Sequence, residues 1–148
     1  MKSILVPVDF SDATPQVIET ATQMARAFGG RLVLLHVVEP EPDFVGFEPG
    51  PVPMRMSVAR DFKEEHLKLE ELKKSLATSG LEVMALQIRG STADKILHEA
   101  TTQEAGLIIM GSHGHGALYE ILVGSVTTGV LKSAQCPVVV VPVRLKES

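Results

Sequence analysis

Three glycines in six residues, Gly111, Gly114 and Gly116, are followed by a Gly124-Ser125 pair, and this is the densest chemical signal in the chain. Glycine has no Cβ, so a loop rich in it lets backbone amides come close to a ligand. A helix that begins at Gly124-Ser125 adds unpaired N–H groups and the positive end of its dipole. Together these make an anion site, and phosphate is the anion that suits it best, with the Ser125 hydroxyl as a further donor. The plainer reading, that the glycines only permit a tight connection, does not explain a Gly-Ser placed at a helix start. The chain has no Gly-Lys-Ser/Thr tripeptide, so the site is not a Walker P-loop. Nor is it the dinucleotide fingerprint, whose glycines follow the first strand, where this chain has Asp9-Phe10-Ser11.

Other reactive side chains are weighed against bland roles. Asp9 either meets a ligand or caps the first helix, and its place at a strand exit favours the ligand. His113 and His115 form an H-x-H pair, but no third metal ligand is suggested nearby, so loop polarity or phosphate hydrogen bonding is the better reading. His36 lies in an apolar strand and reads as a satisfied, semi-buried residue; His66 and His98 read as surface residues on helices. Met54 and Met56 could touch a ligand or fill gaps. Cys136, before Pro137, reads as buried and inert. There is no GxSxG elbow and no HExxH, and Ser112 beside His113 is a sequence neighbour pair, not a triad.

These residues need a scaffold, and the apolar pattern supplies one. Ile4-Leu5-Val6-Pro7-Val8 is a short β-branched run and reads as a buried parallel strand. Asp9-Phe10-Ser11-Asp12 offers turn and N-cap residues, and Pro15 suits a first helical turn. Val17, Ile18, Ala21, Met24, Ala25 and Phe28 recur at helical spacing until Gly29-Gly30. Residues 31–38 form a second strand. Glu39 to Ser57 carries five of the nine prolines and reads as a long irregular loop. From Val58 a helix turns Phe62, Leu69, Leu72 and Leu76 to one side, with Leu67 flanking and Lys63-Glu64-Glu65 on a solvated face; Gly80 ends it. Leu81 to Arg89 is the third strand. Gly90-Ser91-Thr92 caps a helix with Ile96, Leu97 and Ala100 inward, and Leu107 to Met110 is the fourth strand. A helix over about 125–133 precedes the fifth strand, Val138 to Val143.

Strand and helix alternate to the end, so the expected fold is α/β: one domain over 1–148, a doubly wound (Rossmann-like) five-stranded parallel sheet with helices on both faces. With the order 3-2-1-4-5, strands one and four lie side by side, and the exits at Asp9 and Gly111 face one crevice. The chain has 148 residues, 45% of them hydrophobic, and a formal charge of −4, which argues against broad nucleic-acid or anionic-membrane binding. A single cysteine allows no internal disulfide. No run approaches the roughly 20 apolar residues of a membrane span, and no leader segment is read, so a cytoplasmic protein is expected.

The spacing Gly111-x2-Gly114-x9-Gly124-Ser125, the opening Val6-Pro7-Val8-Asp9-Phe10-Ser11, the strand-two Leu35-His36-Val37 and the Cys136-Pro137-Val138-Val139-Val140-Val141 ending resemble the universal stress protein family over essentially the whole chain. The resemblance implies an ATP-binding stress sensor or regulator. Gly111, Ser112, His113, Gly114, His115, Gly116, Gly124 and Ser125 would surround the phosphates and ribose, and Val126 and Thr127 would extend the phosphate-contacting helix start. Asp9 would bond ribose or help hold Mg²⁺, Val37 would offer backbone groups to adenine, and Pro7 and Met110 would line the base and sugar pocket. Many family members carry Arg or Lys between the second and third motif glycines. Here residues 115–123 contain neither, so backbone amides, a metal ion or a partner chain must balance the phosphate charge, and ADP or AMP can rival ATP. The resemblance also implies a homodimer through the edge strand 138–143. The alternatives are a slow Mg²⁺-dependent ATP hydrolase and an interaction module without nucleotide.

Overall fold

The computed structural model describes residues 3–39, 52–112 and 124–142, with residues 52–61 as backbone only. Five short apolar runs form β1 (Ser3–Pro7), β2 (Arg31–Val38), β3 (Val83–Arg89), β4 (Leu107–Gly111) and β5 (Val138–Val141). They make one all-parallel sheet in the order β3-β2-β1-β4-β5, as expected. The register puts Pro7 beside Leu35, Leu5 beside Ile108, and Gly111 beside Val141.

Alternation along each strand feeds two cores. Ile4, Val6, Leu32, Leu34 and Ile109 face one side, where α1 (Thr14–Phe28) and α2 (Val52–Thr78) cover them. Leu5, Val33, Leu35 and Ile108 face the other, under α3 (Thr92–Thr102) and α4 (Ser125–Ser133). Helices on both faces explain why these strands read as continuous apolar runs rather than alternating ones. Gly29 ends α1 in a left-handed conformation (φ 70°), and its amide donates to the Ala25 carbonyl.

Four expectations change. The segment from 39 to 57 is not irregular throughout: α2 starts at Val52, and residues 40–51 lie outside the described residues. Pro53 misled the reading, because proline is tolerated in a first helical turn, where its missing N–H has no intrahelical partner to lose. Phe28 is not a core residue; it is the last position of α1 and is 53% exposed. Cys136 is only partly buried. Ser91 takes the N-cap position of α3 but makes no side-chain cap bond.

Candidate functional site

The sheet's connections reverse direction between β1 and β4, and in such folds the crevice lies beyond the carboxyl ends of the strands at that point. One wall follows β4. The Ser112 amide donates to the Val141 carbonyl at 2.9 Å, and the Gly124 amide donates to the Ser112 carbonyl at 2.9 Å. The residues on either side of 113–123 are therefore pinned at one point of the sheet edge. Gly124 is extended (φ −62°, ψ 159°), and no side chain caps the helix it precedes. The Thr128 amide donates to the Gly124 carbonyl at 3.0 Å, so the amides of Ser125, Val126 and Thr127 stand outside the helix's own ladder. Those amides and the helix dipole give this wall positive potential without a cationic side chain.

The opposite wall is the β1 exit. The Ser11 amide donates to Asp9 Oδ1 at 3.0 Å, closing an Asx turn. The N-cap position of α1 belongs to Ala13, so Asp9 shapes the turn rather than capping the helix. Between them Phe10 has φ 59°, a conformation rare for a bulky residue. Its ring lies tilted against His36, with centroids 4.9 Å apart, and Lys68 Nζ sits 6.0 Å from its centroid.

His36 is buried as expected, at 6% exposure, and both ring nitrogens have partners. Nδ1 is 2.8 Å from the Val8 carbonyl, and Nε2 is 2.6 Å from Glu65 Oε2. A carbonyl can only accept, so Nδ1 donates to Val8, and Nε2 is the ring atom that faces the Glu65 carboxylate. Glu65 is thus not part of a purely solvated face; it reaches inward to strand β2. Two more bonds tie the neighbouring exits together: the Gly90 amide donates to the Val38 carbonyl at 3.0 Å, and the Thr92 hydroxyl donates to Glu39 Oε1 at 2.9 Å.

The structure gathers most of the sequence-predicted residues at this end of the sheet. Pro7 and Asp9 stand at the β1 exit, Val37 near the end of β2, and Gly111, Ser112, Gly124, Ser125, Val126 and Thr127 at β4 and α4. Met110 is in the core with Ile108 and Val130 at 4% exposure. Thr127 is 3% exposed and its hydroxyl donates to the Gly111 carbonyl at 2.9 Å. His113, Gly114, His115 and Gly116 lie outside the described residues. Sequence reading missed Phe10, Glu65 and Lys68, because nothing in a linear sequence pairs His36 with a residue 29 positions away.

Among the described residues no three His, Cys, Asp or Glu side chains stand together as a metal cluster. Mg²⁺ commonly binds one or two carboxylates together with substrate phosphates. One carboxylate, Asp9, therefore fits an ion that arrives with a nucleotide and does not make a metal site of its own. At the opposite end of the sheet a cavity of about 340 Å³, lined by Leu97, Glu104, Gln135 and Cys136 among others, is distant from these residues. Burial raises the Cys136 thiol above its ordinary value of 9.0.

A five-stranded, all-parallel, doubly wound sheet with helices on both faces defines a class, the Rossmann-like α/β proteins. The particular family follows from comparison. The profile of the Universal stress protein family matches residues 1–142, and the chain belongs to that family. It is 36% identical over 147 residues to the universal stress protein in the QAH/OAS sulfhydrylase 3′ region of Thermus aquaticus, covering 95% of this chain and 98% of that one. The solved structure of MJ0577, a universal stress protein of Methanocaldococcus jannaschii, superimposes with a TM-score of 0.81 at 32% identity, covering 98% of both chains. The universal stress protein from Archaeoglobus fulgidus in complex with dAMP shares the fold, with a TM-score of 0.67 at 22% identity over 95% of this chain and 97% of that one.

Proposed function

We propose that the chain binds adenine nucleotides, ATP with Mg²⁺ foremost and ADP or AMP comparably, and acts as a nucleotide-dependent sensor or regulator. One observation carries the reading: the Asp9 turn follows β1, the Gly124–Thr127 helix start follows β4, and those two strands lie side by side at the switch point of the sheet. An Archaeoglobus protein of the same fold was solved with dAMP, a nucleotide of the same chemical class. The phosphates would accept from the first-turn amides of α4 and from the Ser125 hydroxyl. Gly111, Gly114 and Gly116 would leave room for them, and His113 and His115 would add polar contacts. Asp9 would bond the ribose or share the Mg²⁺, which when bound neutralises phosphate charge. Val37 would offer backbone groups to the base, with Pro7 lining the base and sugar pocket and Met110, its side chain in the core, contributing backbone there. Titration calorimetry with ATP, ADP and AMP, with and without Mg²⁺, tests this. No binding of any of them at millimolar concentration overturns it.

The same reading includes a homodimer. Strand β5 is a sheet edge with Val138, Val139 and Val140 half-buried, and an apolar edge invites a second copy. Pro142, just after it, lacks a donor and limits further addition. Light scattering that gives a monomer at micromolar concentration contradicts the dimer.

A further inference from the structure

We infer that His36 is a positioning residue for the nucleotide: by joining the Val8 carbonyl to Glu65 on α2 and packing on Phe10, it fixes the direction of the Asp9 carboxylate. This rests on the nucleotide reading above and adds to it a residue that makes no contact with the ligand.

Asp9 sits between two residues that one imidazole holds. On its amino side, both polar backbone groups of Val8 are engaged. The Val8 amide donates to the Leu35 carbonyl at 2.8 Å, and the Val8 carbonyl accepts from His36 Nδ1 at 2.8 Å. On its carboxyl side, Phe10 is held at φ 59° with its ring against the same imidazole. A non-glycine residue persists in that region only where its surroundings over-determine it. Here those surroundings are the His36 ring, the Lys68 ammonium and the core under α1 and α2 against which Phe10 packs. The ring itself cannot swing, because Nε2 is tied to Glu65, a residue of a different element. Asp9 Oδ1 then takes its direction from the Ser11 amide, within a turn whose two ends are set by His36.

Removing the imidazole frees both ends together. The Val8 carbonyl loses its donor, and Phe10 is free to relax to negative φ. The carboxylate then meets ribose or ion in more than one direction. A preorganised group that becomes mobile loses affinity even though it is still present. A histidine that merely filled the core would change stability and leave affinity alone.

The test uses the full chain and ATP with Mg²⁺, with dissociation constants and thermal melts measured on each variant. His36→Leu is expected to weaken ATP about tenfold, the scale of one lost charge-assisted hydrogen bond. His36→Asn, whose amide N–H can replace Nδ1 toward Val8, is expected to recover most of that loss. In an Asp9→Ala background, His36→Leu is expected to cause no further loss, because it acts through Asp9. Wild-type affinity in His36→Leu, or losses that multiply fully in the double variant, overturn the inference. Should His36→Leu fail to fold, Glu65→Ala is read with and without Asp9→Ala, and the same two outcomes decide. If the wild-type chain binds no ATP, the nucleotide reading itself fails and this inference goes with it.

Discussion

At Gly124 fold and proposed function pull apart, which makes it the most informative single position. Its backbone is extended, with φ −62° and ψ 159°, a conformation any residue adopts, and aspartate is a good N-cap for a helix such as α4. The same aspartate places a negative charge where the phosphates are expected. Gly124→Asp should therefore leave the melting temperature unchanged or slightly raised while weakening ATP at least about tenfold by calorimetry. Thr127 behaves in the opposite way. Its hydroxyl is bonded to the Gly111 carbonyl inside the fold, so Thr127→Val should lower stability by roughly 1–3 kcal/mol in urea unfolding by leaving a carbonyl unpaired. Gly90 has φ 149°, and a Cβ there would lie 2.5 Å from Lys95 Cε. The lysine can move but the backbone cannot, so Gly90→Ala should cost about 1–3 kcal/mol in the same measurement. At Cys136, partial burial favours the neutral thiol. Its reaction with a disulfide reagent should be slower than that of free cysteine at every pH below 9.0. The linkage has a definite sign. A thiol raised in the folded state contributes stability that is full below the unfolded value and lost as pH climbs through the folded one.

Each element carries a task that its residues share. Strand β4 links core and site: Ile109 is wholly buried under α1 and α2, and two residues on, Gly111 accepts from Thr127. Ile109→Ala should cost about 2–5 kcal/mol by the usual core-truncation range, and nucleotide affinity should fall only as far as the fraction folded does. Helix α2 is the element that sequence reading served least well. Its start was hidden by Pro53 among other prolines, and its inward-reaching Glu65 was hidden within a charged run. Both faults have one cause. Proline and charge are scored by their usual environments, and here a first helical turn and a buried histidine make the exceptions. By contrast α4 was legible at about its observed span, Ser125–Ser133, because glycine before it and Cys136-Pro137 after it mark both ends.

For the molecule as a whole, a formal charge of −4 is compatible with the proposed anion site, because the positive potential there is local and comes from backbone. That sets an expectation for the metal. Between Gly114 and Gly124 there is no lysine or arginine, so a triphosphate depends on Mg²⁺ more than a monophosphate does. Chelating Mg²⁺ should weaken ATP several-fold by calorimetry while AMP affinity changes little. Equal sensitivity of the two would argue that the ion plays no part.

The sequence by itself determined the alternation of strands and helices, the strand order, the family and the two segments that flank the crevice. Those follow from local apolar period, from turn residues and from motif spacing, all of which are written along the chain. Only the tertiary structure decided what each side chain has left to offer a ligand. Asp9 directs an Asx turn, Thr127 spends its hydroxyl on the Gly111 carbonyl, and His36 meets Glu65 across the gap between β2 and α2. Such pairings depend on which helix lies over which strand and at what height. They are fixed by packing between residues far apart in sequence, and no local pattern encodes them.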